Sequence, residues 1–415
     1  MATPRIGMAA GEASGDLLAA SVLACWRGQG ASSATLSASQ PDDAAVSSGA
    51  GDVLSHPPSS GTDRAVCAGI GGPRMQAEGF EAWWPSEWLA VHGYAEAFKA
   101  LPRLLWVRRQ LRQRLLNWPA QAFVGVDAPD FNLGLEARLR AAGVRTYHFV
   151  SPSIWAWRRE RIEKIRQAVD HMLLVFPFEE AIYREARIPA TYCGHPLADQ
   201  IPFEPDQAAA RQVLGLPAQG TVIALMPGSR RAEVEHLAPT FLAAAVLMHQ
   251  QHPDWHFILP AAGEARLAQL RALINTDPAW RALPLQVLSG QSHTALAACD
   301  QTLIASGTAT LEAALFKRPM VIAYRLAPLS YRMMKNKAYQ PWFGLPNILA
   351  GAFLVPEFIQ DAATPQALAE AMVRQHDDAS GRERLVARFA EMHHVLAQGC
   401  ARRVAETVLD DLSRA

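Results

Sequence analysis

Short apolar runs alternate with longer amphipathic stretches along most of this chain. The amphipathic stretches repeat their apolar positions with a helical period, which predicts parallel α/β layers. In the first half the predicted strands are Arg5–Ala10, Val66–Ile70, Phe123–Val126, Thr146–Val150, Met172–Phe176 and Thr191–Cys193. The predicted helices between them are Leu17–Arg27, Asn132–Ala142, Arg159–Ala168 and Glu179–Ala186.

The same rhythm starts again in the second half, after a break rich in Gly and Pro. The break includes Gly194-His195-Pro196 and Pro202–Pro205, which places the linker near 196–206. The second set of predicted strands is Val222–Met226, His256–Pro260, Leu285–Leu288, Thr302–Ala305 and Met320–Tyr324. We therefore predict two doubly wound, Rossmann-like α/β domains facing across a cleft, followed by a C-terminal helix; the ranges are 1–196, 197–395 and 396–415.

One segment does not fit this scheme. Between Gly28 and Thr62, 25 of 35 residues are Ala, Ser, Gly, Pro or Thr, and none is aromatic. A stretch of this composition cannot bury enough apolar surface to offset the entropy lost on ordering. We predict a flexible insertion at 28–62 without a catalytic role.

Composition and charge argue against several classes of function. The 415 residues carry 39 basic and 39 acidic side chains, so no net charge favours binding to nucleic acid. The five cysteines are scattered without zinc-ligand spacing, which fits a reducing cytoplasm. We find neither a signal peptide nor an apolar run of ~18 residues, and expect a soluble or peripheral protein.

Residues 302–325 are the most informative stretch. A predicted strand ends in the turn Ser306-Gly307-Thr308, and a helical pattern follows at once, with Glu312 one turn in. Free N–H groups at a helix N-terminus bind anions, and a carboxylate one turn further reaches sugar hydroxyls. The stretch predicts a nucleotide site and favours a nucleotide sugar; the alternative is an ordinary βαβ crossover with a solvated Glu312.

A second loop, residues 10–16, follows the first predicted strand. Its glycines permit a tight turn, Ser14 or Asp16 is placed to cap the next helix, and Glu12 is left free at the cleft. The loop lacks a GxGxxG pattern, which argues against a dinucleotide cofactor. The alternative interpretation is a turn with an N-cap and nothing more.

A third loop, residues 126–132, places two carboxylates at the end of a strand. Asp130 is positioned to cap the following helix, whereas Asp127 projects into the cleft. This division suits one general base acting on an acceptor hydroxyl. The alternative is that both residues are caps.

Two more loops carry aromatic or basic residues. In residues 150–158, Trp155 and Trp157 are suited to packing a sugar or acyl chain, although Trp is more often a core residue. In residues 226–235, Arg230 lies at a predicted helix N-terminus, as a diphosphate clamp would; the alternative is a surface arginine.

Three polar side chains outside these loops are further candidates for the same site. Asn347 lies in a loop rich in Gly and Pro and is a further candidate donor to the diphosphate. His293 and His394 lack partners at ligand spacing, so we interpret both as structural or solvated.

Seven segments, taken in order, closely resemble the lipid-A-disaccharide synthase family. They are AGEASGD, GGPRMQAEG, VDAPDFN, SPSIWAWR, PGSRRAEVE, SGTATLEAALFKRPMVIAYR and LPNILAG, and only 28–62 falls outside the resemblance. The resemblance implies the GT-B glycosyltransferase fold without a metal or other cofactor. It also implies an inverting transfer of 2,3-diacylglucosamine from UDP to the 6-hydroxyl of 2,3-diacylglucosamine 1-phosphate, in lipid A biosynthesis.

The resemblance also implies roles for residues. Asp127 would be the essential acidic residue, Glu12 would lie in the acceptor cleft, and Arg230 would be essential. We assign Ser14, Asp130 and Trp155 to the acceptor and lipid cleft. The residues expected to bind UDP are Ser229, Arg230, Ser306, Gly307, Thr308, Glu312 and Asn347. The family further suggests a homodimer with exchanged C-terminal segments.

A basic and apolar surface is predicted around residues 94–114. Tyr94, Phe98, Leu101 and Leu105 recur at helical spacing, and Pro102 is expected to divide the stripe into two short helices. The cations beside it are Lys99, Arg103, Arg108, Arg109, Arg112 and Arg114. This pattern is typical of a helix lying on an anionic bilayer, here the inner face of the cytoplasmic membrane. The alternative is a core-facing helix with a basic outer face.

Three other functions compete with this one. A UDP-sugar epimerase would share the nucleotide loop but would not need the basic surface of residues 94–114. A non-catalytic lipid- or nucleotide-binding protein would not explain both Asp127 and Arg230 at the cleft. A dinucleotide oxidoreductase is disfavoured because no GxGxxG pattern is present.

Overall fold

The computed structural model describes residues 3–28, 65–89, 94–156, 158–325 and 341–414. The chain divides into two compact units. The first contains the residues up to Ile154, Arg159–Cys193 and the residues from Gly399 onward; the second contains Trp155–Arg158 and Gly194–Gln398. The insertion predicted at 28–62 lies, from residue 29 onward, outside the described residues.

A seven-stranded parallel sheet forms the centre of the first unit, with the order β3-β2-β1-β4-β5-β6-β7. Its strands are β1 (Arg5–Ala10), β2 (Val66–Gly71), β3 (Glu81–Pro85), β4 (Ala122–Val126), β5 (Arg145–Phe149), β6 (His171–Leu174) and β7 (Ala190–Tyr192). Its helices include α1 (Glu12–Trp26), α2 (Pro73–Ala77), α3 (Tyr94–Asn117), α4 (Pro129–Arg140), α5 (Arg161–Ala168) and α6 (Glu179–Glu185). The strand order reverses between β1 and β4, which creates a switch point where ligands bind in such sheets.

The second unit contains a six-stranded parallel sheet with the order β10-β9-β8-β11-β12-β13. Its strands are β8 (Val222–Met226), β9 (His256–Ala261), β10 (Leu285–Ser289), β11 (Gln301–Ala305), β12 (Met320–Tyr324) and β13 (Glu357–Ile359). Its helices include α7 (Pro196–Gln200), α8 (Gln207–Leu214), α9 (Arg231–Gln251), α10 (Glu264–Ile274), α11 (Pro278–Arg281), α12 (Ser292–Ala298), α13 (Thr308–Leu315), α14 (Leu345–Ala350), α15 (Pro365–Asp377) and α16 (Ala379–Leu396). The switch point of this sheet lies between β8 and β11.

Buried apolar residues hold the long helix α9 on the second sheet. Phe241, Leu242 and Met248 have no exposed surface and belong to one core cluster with Phe257 of β9 and Leu303 of β11. Burying each such side chain contributes ~1.5–3 kcal/mol to folding. This packing holds in place β8 and β11, the strands that precede the two loops predicted to bind the nucleotide.

Every strand predicted from the apolar runs is present, with bounds within two residues of the prediction. The pattern missed β3 and β13, which lie at sheet edges and are only partly buried. The structure places the boundary between the units at Cys193/Gly194, three residues before the predicted boundary of 196/197.

Helix α3 runs without interruption from Tyr94 to Asn117, with Pro102 inside it. The prediction of two short helices was therefore wrong. A proline removes one intrahelical hydrogen bond, but Val107, Leu111 and Leu115 are fully buried further along and hold the helix on the unit. Among the described residues no helix is long and apolar enough to cross a membrane.

The last helix, α17 (Cys400–Arg414), belongs to the first unit rather than forming a separate element. The indole of Trp26 on α1 donates to the carbonyl of Ala405, with an N–O distance of 3.1 Å. The guanidinium of Arg145 on β5 donates two hydrogen bonds of 2.9 Å to the Asp411 carboxylate. Residues on two elements of the first unit therefore fix the helix in place.

Candidate active site

The loop after β1 presents an exposed carboxylate on a strained backbone. Helix α1 begins after Gly11, without a side-chain cap, and Glu12 has a φ of 56°. Glu12 and Ser14 are both exposed, and Glu12 has no hydrogen-bond or ion-pair partner among the described residues. Ser14 does not cap the helix, so that part of the prediction was wrong. Glu12 remains available to a ligand.

Asp16 caps a different helix from the one predicted. Its carboxylate is buried and accepts hydrogen bonds from the backbone N–H groups of Gly72, Arg74 and Met75, at the start of α2. A Cβ at position 72 would lie 2.6 Å from this carboxyl group, so only glycine fits there. Asp16 thus joins α1 to the loop after β2. It fixes these two segments at the carboxyl ends of the strands β1 and β2.

The turn after β4 presents Asp127. Both Asp127 and Ala128 have positive φ values, 51° and 44°, and the Asp127 N–H donates to the carbonyl of Phe149 at 2.9 Å. The half-buried Asp127 carboxylate has no partner among the described residues. This side chain is therefore held at the sheet edge with its oxygens free, as a general base requires.

Asp130 does not cap α4, so this prediction was wrong. The helix begins after Ala128 and has no side-chain cap. The Asp130 side chain is 88% exposed and pairs with Arg161 at 3.0 Å. A pair this exposed contributes at most ~1 kcal/mol to stability.

Three adjacent strands of the first sheet end in residues with unusual backbone angles. They are Glu12 after β1, Asp127 after β4 and Val150 after β5, with φ values of 56°, 51° and 76°. Left-handed angles cost non-glycine residues roughly 1–2 kcal/mol, and a β-branched residue such as Val150 adopts them least readily. Strain of this kind clusters at functional sites, and here it coincides with the switch point.

A buried polar cluster behind the Asp127 turn was missed by the sequence analysis. Asn132 donates through Nδ2 to the Asp127 carbonyl at 2.8 Å, and Glu136 Oε1 lies 2.7 Å from Nδ1 of His148. All three side chains have no exposed surface. The spacing of Asn132 and Glu136, one helical turn apart on a face that otherwise buries Leu135 and Leu139, was the signal that could have revealed them.

The loop after β5 is only partly informative. The Ser151 hydroxyl is buried against the Tyr183 hydroxyl at 2.7 Å, which fixes the start of the loop. Trp155 is half-buried, whereas Trp157 lies outside the described residues. A role for Trp155 in packing a sugar or acyl chain stays a prediction.

In the second unit, the loop after β8 places Arg230 at the N-terminus of α9. Gly228 has a φ of 115°, and a Cβ there would lie 2.5 Å from Glu233 Oε2. The Glu233 carboxylate accepts from the N–H groups of Ser229 and Arg230 at 3.1 and 3.2 Å, and it pairs with the guanidinium at 2.9 Å. A carboxylate therefore occupies the N–H groups that were predicted to bind diphosphate, while the Arg230 side chain is 83% exposed.

The loop after β11 presents the N-terminus of α13. The Ser306 hydroxyl donates to the carbonyl of Phe343 at 3.0 Å, and Gly307 and Thr308 are exposed. Thr308 is the first residue of the helix, so its N–H and that of Ala309 point out of the helix end, whereas the Thr310 N–H donates to the Gly307 carbonyl at 3.1 Å. The geometry predicted for an anion site is present.

Glu312, one turn into α13, contacts a histidine that the sequence analysis had set aside. His293 Nε2 lies 3.5 Å from Glu312 Oε2, and its ring packs edge-on against Phe316. The sequence shows no partner for His293 at ligand spacing, because α12 brings it beside α13 only in the fold; its contacts there agree with the structural interpretation. His394 instead packs on Phe203, with ring centroids 4.1 Å apart.

The structure contradicts a direct role for the Asn347 side chain in binding UDP. Asn347 is fully buried; its Nδ2 donates to the Val355 carbonyl and to Glu357, and its Oδ1 accepts from the N–H groups of Leu354 and Val355. Both donor hydrogens and both acceptor positions of the amide are therefore used within the protein. Asn347 shapes the loop after α14 instead.

The predicted membrane surface on α3 is only partly exposed. Leu101, Leu105 and Trp106 are 48%, 47% and 52% exposed. Arg109 is exposed and Arg112 is half-buried, while the side chain of Phe98 is outside the described part of the structure.

Arg108 was wrongly predicted as a surface cation. Its Nη2 donates to the Asp130 carbonyl at 2.8 Å and its guanidinium lies 5.1 Å from the Phe131 ring centroid. Burial lowers the pKa of Arg108. Its charge is therefore directed toward α4 rather than to solvent.

Comparison with known proteins decides the family. A family model described as Lipid-A-disaccharide synthetase matches residues 50–407. The chain belongs to this family. A Lipid-A-disaccharide synthase from Paraburkholderia xenovorans (strain LB400) is 50% identical over 404 residues, covering 97% of this chain and 95% of the relative. Another, from Thiobacillus denitrificans (strain ATCC 25259 / T1), is 54% identical over 351 residues, covering 84% and 93%.

Solved structures share the fold at low identity. A glycotransferase of kitacinnamycin has a TM-score of 0.60 at 14% identity, covering 98% of this chain and 99% of that one. A putative UDP-N-acetylglucosamine 2-epimerase from Listeria monocytogenes has a TM-score of 0.63 at 9% identity, covering 100% and 98%. The GT-B-type fold with two Rossmann-like sheets is thus confirmed. Because epimerases share it, family membership and not the fold identifies the chain as a glycosyltransferase that forms the lipid A disaccharide.

Proposed function

We propose that this enzyme transfers 2,3-diacylglucosamine from UDP to the 6-hydroxyl of 2,3-diacylglucosamine 1-phosphate, with inversion at the anomeric carbon. The observation that supports this most is Asp127, an unpartnered carboxylate in a strained turn at the switch point of the first sheet. A base there removes the proton of the acceptor hydroxyl. The hydroxyl oxygen then bonds to the anomeric carbon, while the bond between that carbon and the UDP oxygen breaks.

The second unit is proposed to bind the donor. The N–H groups of Gly307 and Thr308 face the phosphates and Glu312 binds a ribose hydroxyl. Ser306 lies at the same turn, where its own N–H donates to the Ala323 carbonyl at 3.0 Å and fixes the backbone. Arg230, exposed beside α9, neutralises the charge that grows on the leaving diphosphate, so the donor site needs no metal ion.

Glu233 takes part in the same proposed step. In this structure its carboxylate holds the N–H groups of Ser229 and Arg230. A phosphate that binds these groups must replace the carboxylate, which then remains available to orient the Arg230 guanidinium. Ser229 and Arg230 are therefore proposed to bind UDP only after this exchange.

We propose that the enzyme acts as a homodimer on the inner face of the cytoplasmic membrane, as the family resemblance implies. The exposed Leu101, Leu105 and Trp106 on α3 support the membrane contact, together with the exposed Arg109. Both substrates carry acyl chains, so an enzyme that reaches them at the bilayer surface avoids extracting them into water.

UDP release from the diacyl donor, with and without the phosphorylated acceptor, tests the proposed reaction. Wild-type enzyme should release UDP only when the acceptor is present. Asp127→Asn should lower the rate ~10²–10⁴-fold and leave UDP binding unchanged, because the variant lacks the base but keeps the donor site. Glu163→Gln, an exposed carboxylate on α5, is the matched control and should turn over normally.

Two outcomes would contradict the proposal. Release of UDP without an acceptor would indicate an epimerase or a hydrolase. Near-normal turnover by Asp127→Asn would move the base to Glu12 or to solvent.

A further inference from the structure

The turn that carries Asp127 requires support from its surroundings. Asp127 and Ala128 are consecutive residues with positive φ, and neither is glycine. Such angles persist only where neighbouring groups determine the conformation. The groups directly behind this turn are the buried side chains of Asn132, Glu136 and His148.

The Asn132 amide holds the turn through backbone carbonyls. Its Nδ2 lies 2.8 Å from the carbonyl oxygen of Asp127, 3.2 Å from that of Ala9 and 3.4 Å from that of Val126. All three partners are acceptors, which fixes the nitrogen on this side of the amide. One side chain therefore connects the Asp127 turn to the ends of β1 and β4, the two strands that flank the switch point.

Glu136 and His148 hold α4 in the position that the Asn132 amide needs. Glu136 Oε1 lies 2.7 Å from His148 Nδ1 on β5. A Cβ at Gly125 would lie 2.0 Å from the same oxygen and 2.9 Å from Asn132 Cβ, so β4 has glycine where these two side chains approach it. Burial raises the pKa of Glu136. The cluster thus sets the distance between α4 and the strands β4 and β5.

This arrangement is a poor choice for stability alone. Asn132 Oδ1, Glu136 Oε2 and His148 Nε2 are buried without a hydrogen-bond partner among the described residues. Apolar side chains of similar size would fill the same space without leaving polar atoms unpaired. The polar cluster is therefore better explained by what it positions than by the packing it provides.

We propose that Asn132 is a positioning residue for the transfer reaction, with its buried amide fixing the left-handed turn that aims the Asp127 carboxylate. Glu136 and His148 support it by holding α4 against β4 and β5. This inference rests on the proposed role of Asp127 as the base. It predicts that loss of the amide affects the chemical step and not donor binding.

The first test replaces the amide with an apolar group of similar size, Asn132→Leu. We expect kcat to fall ~10²-fold, since a displacement of about 1 Å in a catalytic group has an effect of this order. The Kd for UDP should change less than twofold, because UDP binds the second unit. If Asn132→Leu does not fold, Asn132→Asp, which fits the same space but presents oxygen to the three carbonyls, replaces it with the same expected result.

Thr146→Val is the matched control. Thr146 is also fully buried, and its hydroxyl donates to the Ala168 carbonyl, but it lies near the start of β5, at the sheet edge opposite Asp127. This variant should lower the thermal midpoint and leave kcat per folded molecule unchanged. If the control lost as much kcat as Asn132→Leu, general destabilisation would explain the loss in both variants. That result would overturn the proposal.

A double-mutant cycle then separates positioning from an independent role. If Asn132 acts through Asp127, adding Asn132→Leu to Asp127→Asn should lower the residual rate by less than ~3-fold. A further loss of ~10²-fold would overturn the proposal, as would normal kcat in Asn132→Leu. Normal turnover by Asp127→Asn alone would instead refute the proposed base, so the two failures are distinguishable.

Discussion

At the scale of single residues, the two candidate bases differ in how they are held. Glu12 is exposed at the first position of α1, whereas Asp127 is half-buried and its carbonyl accepts from the Asn132 amide. A general base must lie at a fixed distance from the proton that it removes. We therefore expect Glu12→Gln to lower kcat less than Asp127→Asn, measured with saturating substrates. An equal or larger loss in Glu12→Gln would assign the base to the loop after β1.

Arg230 should act on the leaving group. Arg230→Ala should lower kcat by a factor corresponding to ~3–4 kcal/mol, because charge grows on the diphosphate as the glycosidic bond breaks. Arg231→Ala, which removes the next arginine, also exposed, is the control and should have little effect. Single-turnover rates at saturating donor give the comparison. A variant that loses only acceptor affinity would show that Arg230 does not contact the diphosphate.

His195 should make the stability of the second unit depend on pH. Burial lowers the pKa of this imidazole to about 4 from an ordinary value of 6.5, and its Nδ1 accepts from the Leu197 N–H at the start of α7. Between pH 4 and pH 6.5 the unfolded chain therefore binds a proton at His195 that the folded chain does not bind. Stability from this group is complete above about pH 6.5 and is lost as the pH falls toward 4.

His195→Asn tests this dependence, since asparagine also accepts at a helix N-terminus but does not titrate. The thermal midpoint of the variant should fall less steeply than that of the wild type between pH 6.5 and 4. Parallel curves over this range would show that another group controls the acid sensitivity.

At the scale of elements, the sequence predicts the parts of the fold whose signal is local. Buried parallel strands such as β8 and β11 are continuous apolar runs, so their bounds were found almost to the residue. The strands β3 and β13 are partly exposed sheet edges and show no such run. The continuity of α3 through Pro102 depends on packing further along the helix, which the local pattern does not contain.

The sequence predicted those residues of the candidate site that lie in loops directly after a strand. Asp127 and Ser306 each directly follow a predicted strand, and in a parallel sheet this position alone places them at the carboxyl ends of the strands. The contacts of Asp16 and His293 join residues that are distant in sequence or lie on different helices. Such contacts arise only after the helices pack, so each of these side chains was assigned the wrong partner or none.

We expect helix α3 to bind the surface of an anionic membrane. Leu101→Ser combined with Leu105→Ser should weaken binding to anionic liposomes and leave the fold intact, because both side chains are exposed. Arg109→Glu should instead weaken the electrostatic part of the binding, which salt screens. Each cation contributes ~1 kcal/mol to the binding free energy at such a surface. Val107→Ser is the control for the buried face and should destabilise the first unit. Unchanged liposome sedimentation in the folded double variant would place the membrane contact elsewhere.

At the scale of the whole molecule, α17 links the two ends of the described chain. Asp411 accepts two hydrogen bonds from Arg145 and one from the Tyr147 hydroxyl, and these bonds lower the pKa of its carboxyl group. The contribution of these hydrogen bonds to the free energy of unfolding is present above about pH 4. It is lost as the pH falls through the lowered pKa of Asp411.

Asp411→Asn should destabilise the first unit by ~1–3 kcal/mol, because it leaves Arg145 without its charged partner. Hydrogen exchange in β5 and α1 measures the effect in this unit alone. Asp410→Asn, one residue earlier and exposed, should leave exchange unchanged. Equal protection in both variants would show that the apolar face of α17 is sufficient to hold it.

The position of α17 in the chain also has a consequence for biosynthesis. The ribosome makes α1 early, but the helix that covers Trp26 emerges only after the whole second unit has been translated. At roughly 5–20 residues per second, the ~200 residues of the second unit alone take about 10–40 s. During that time the apolar residues of the first unit that α17 covers have no partner from this helix. We therefore expect the nascent first unit to bind chaperones until α17 is made.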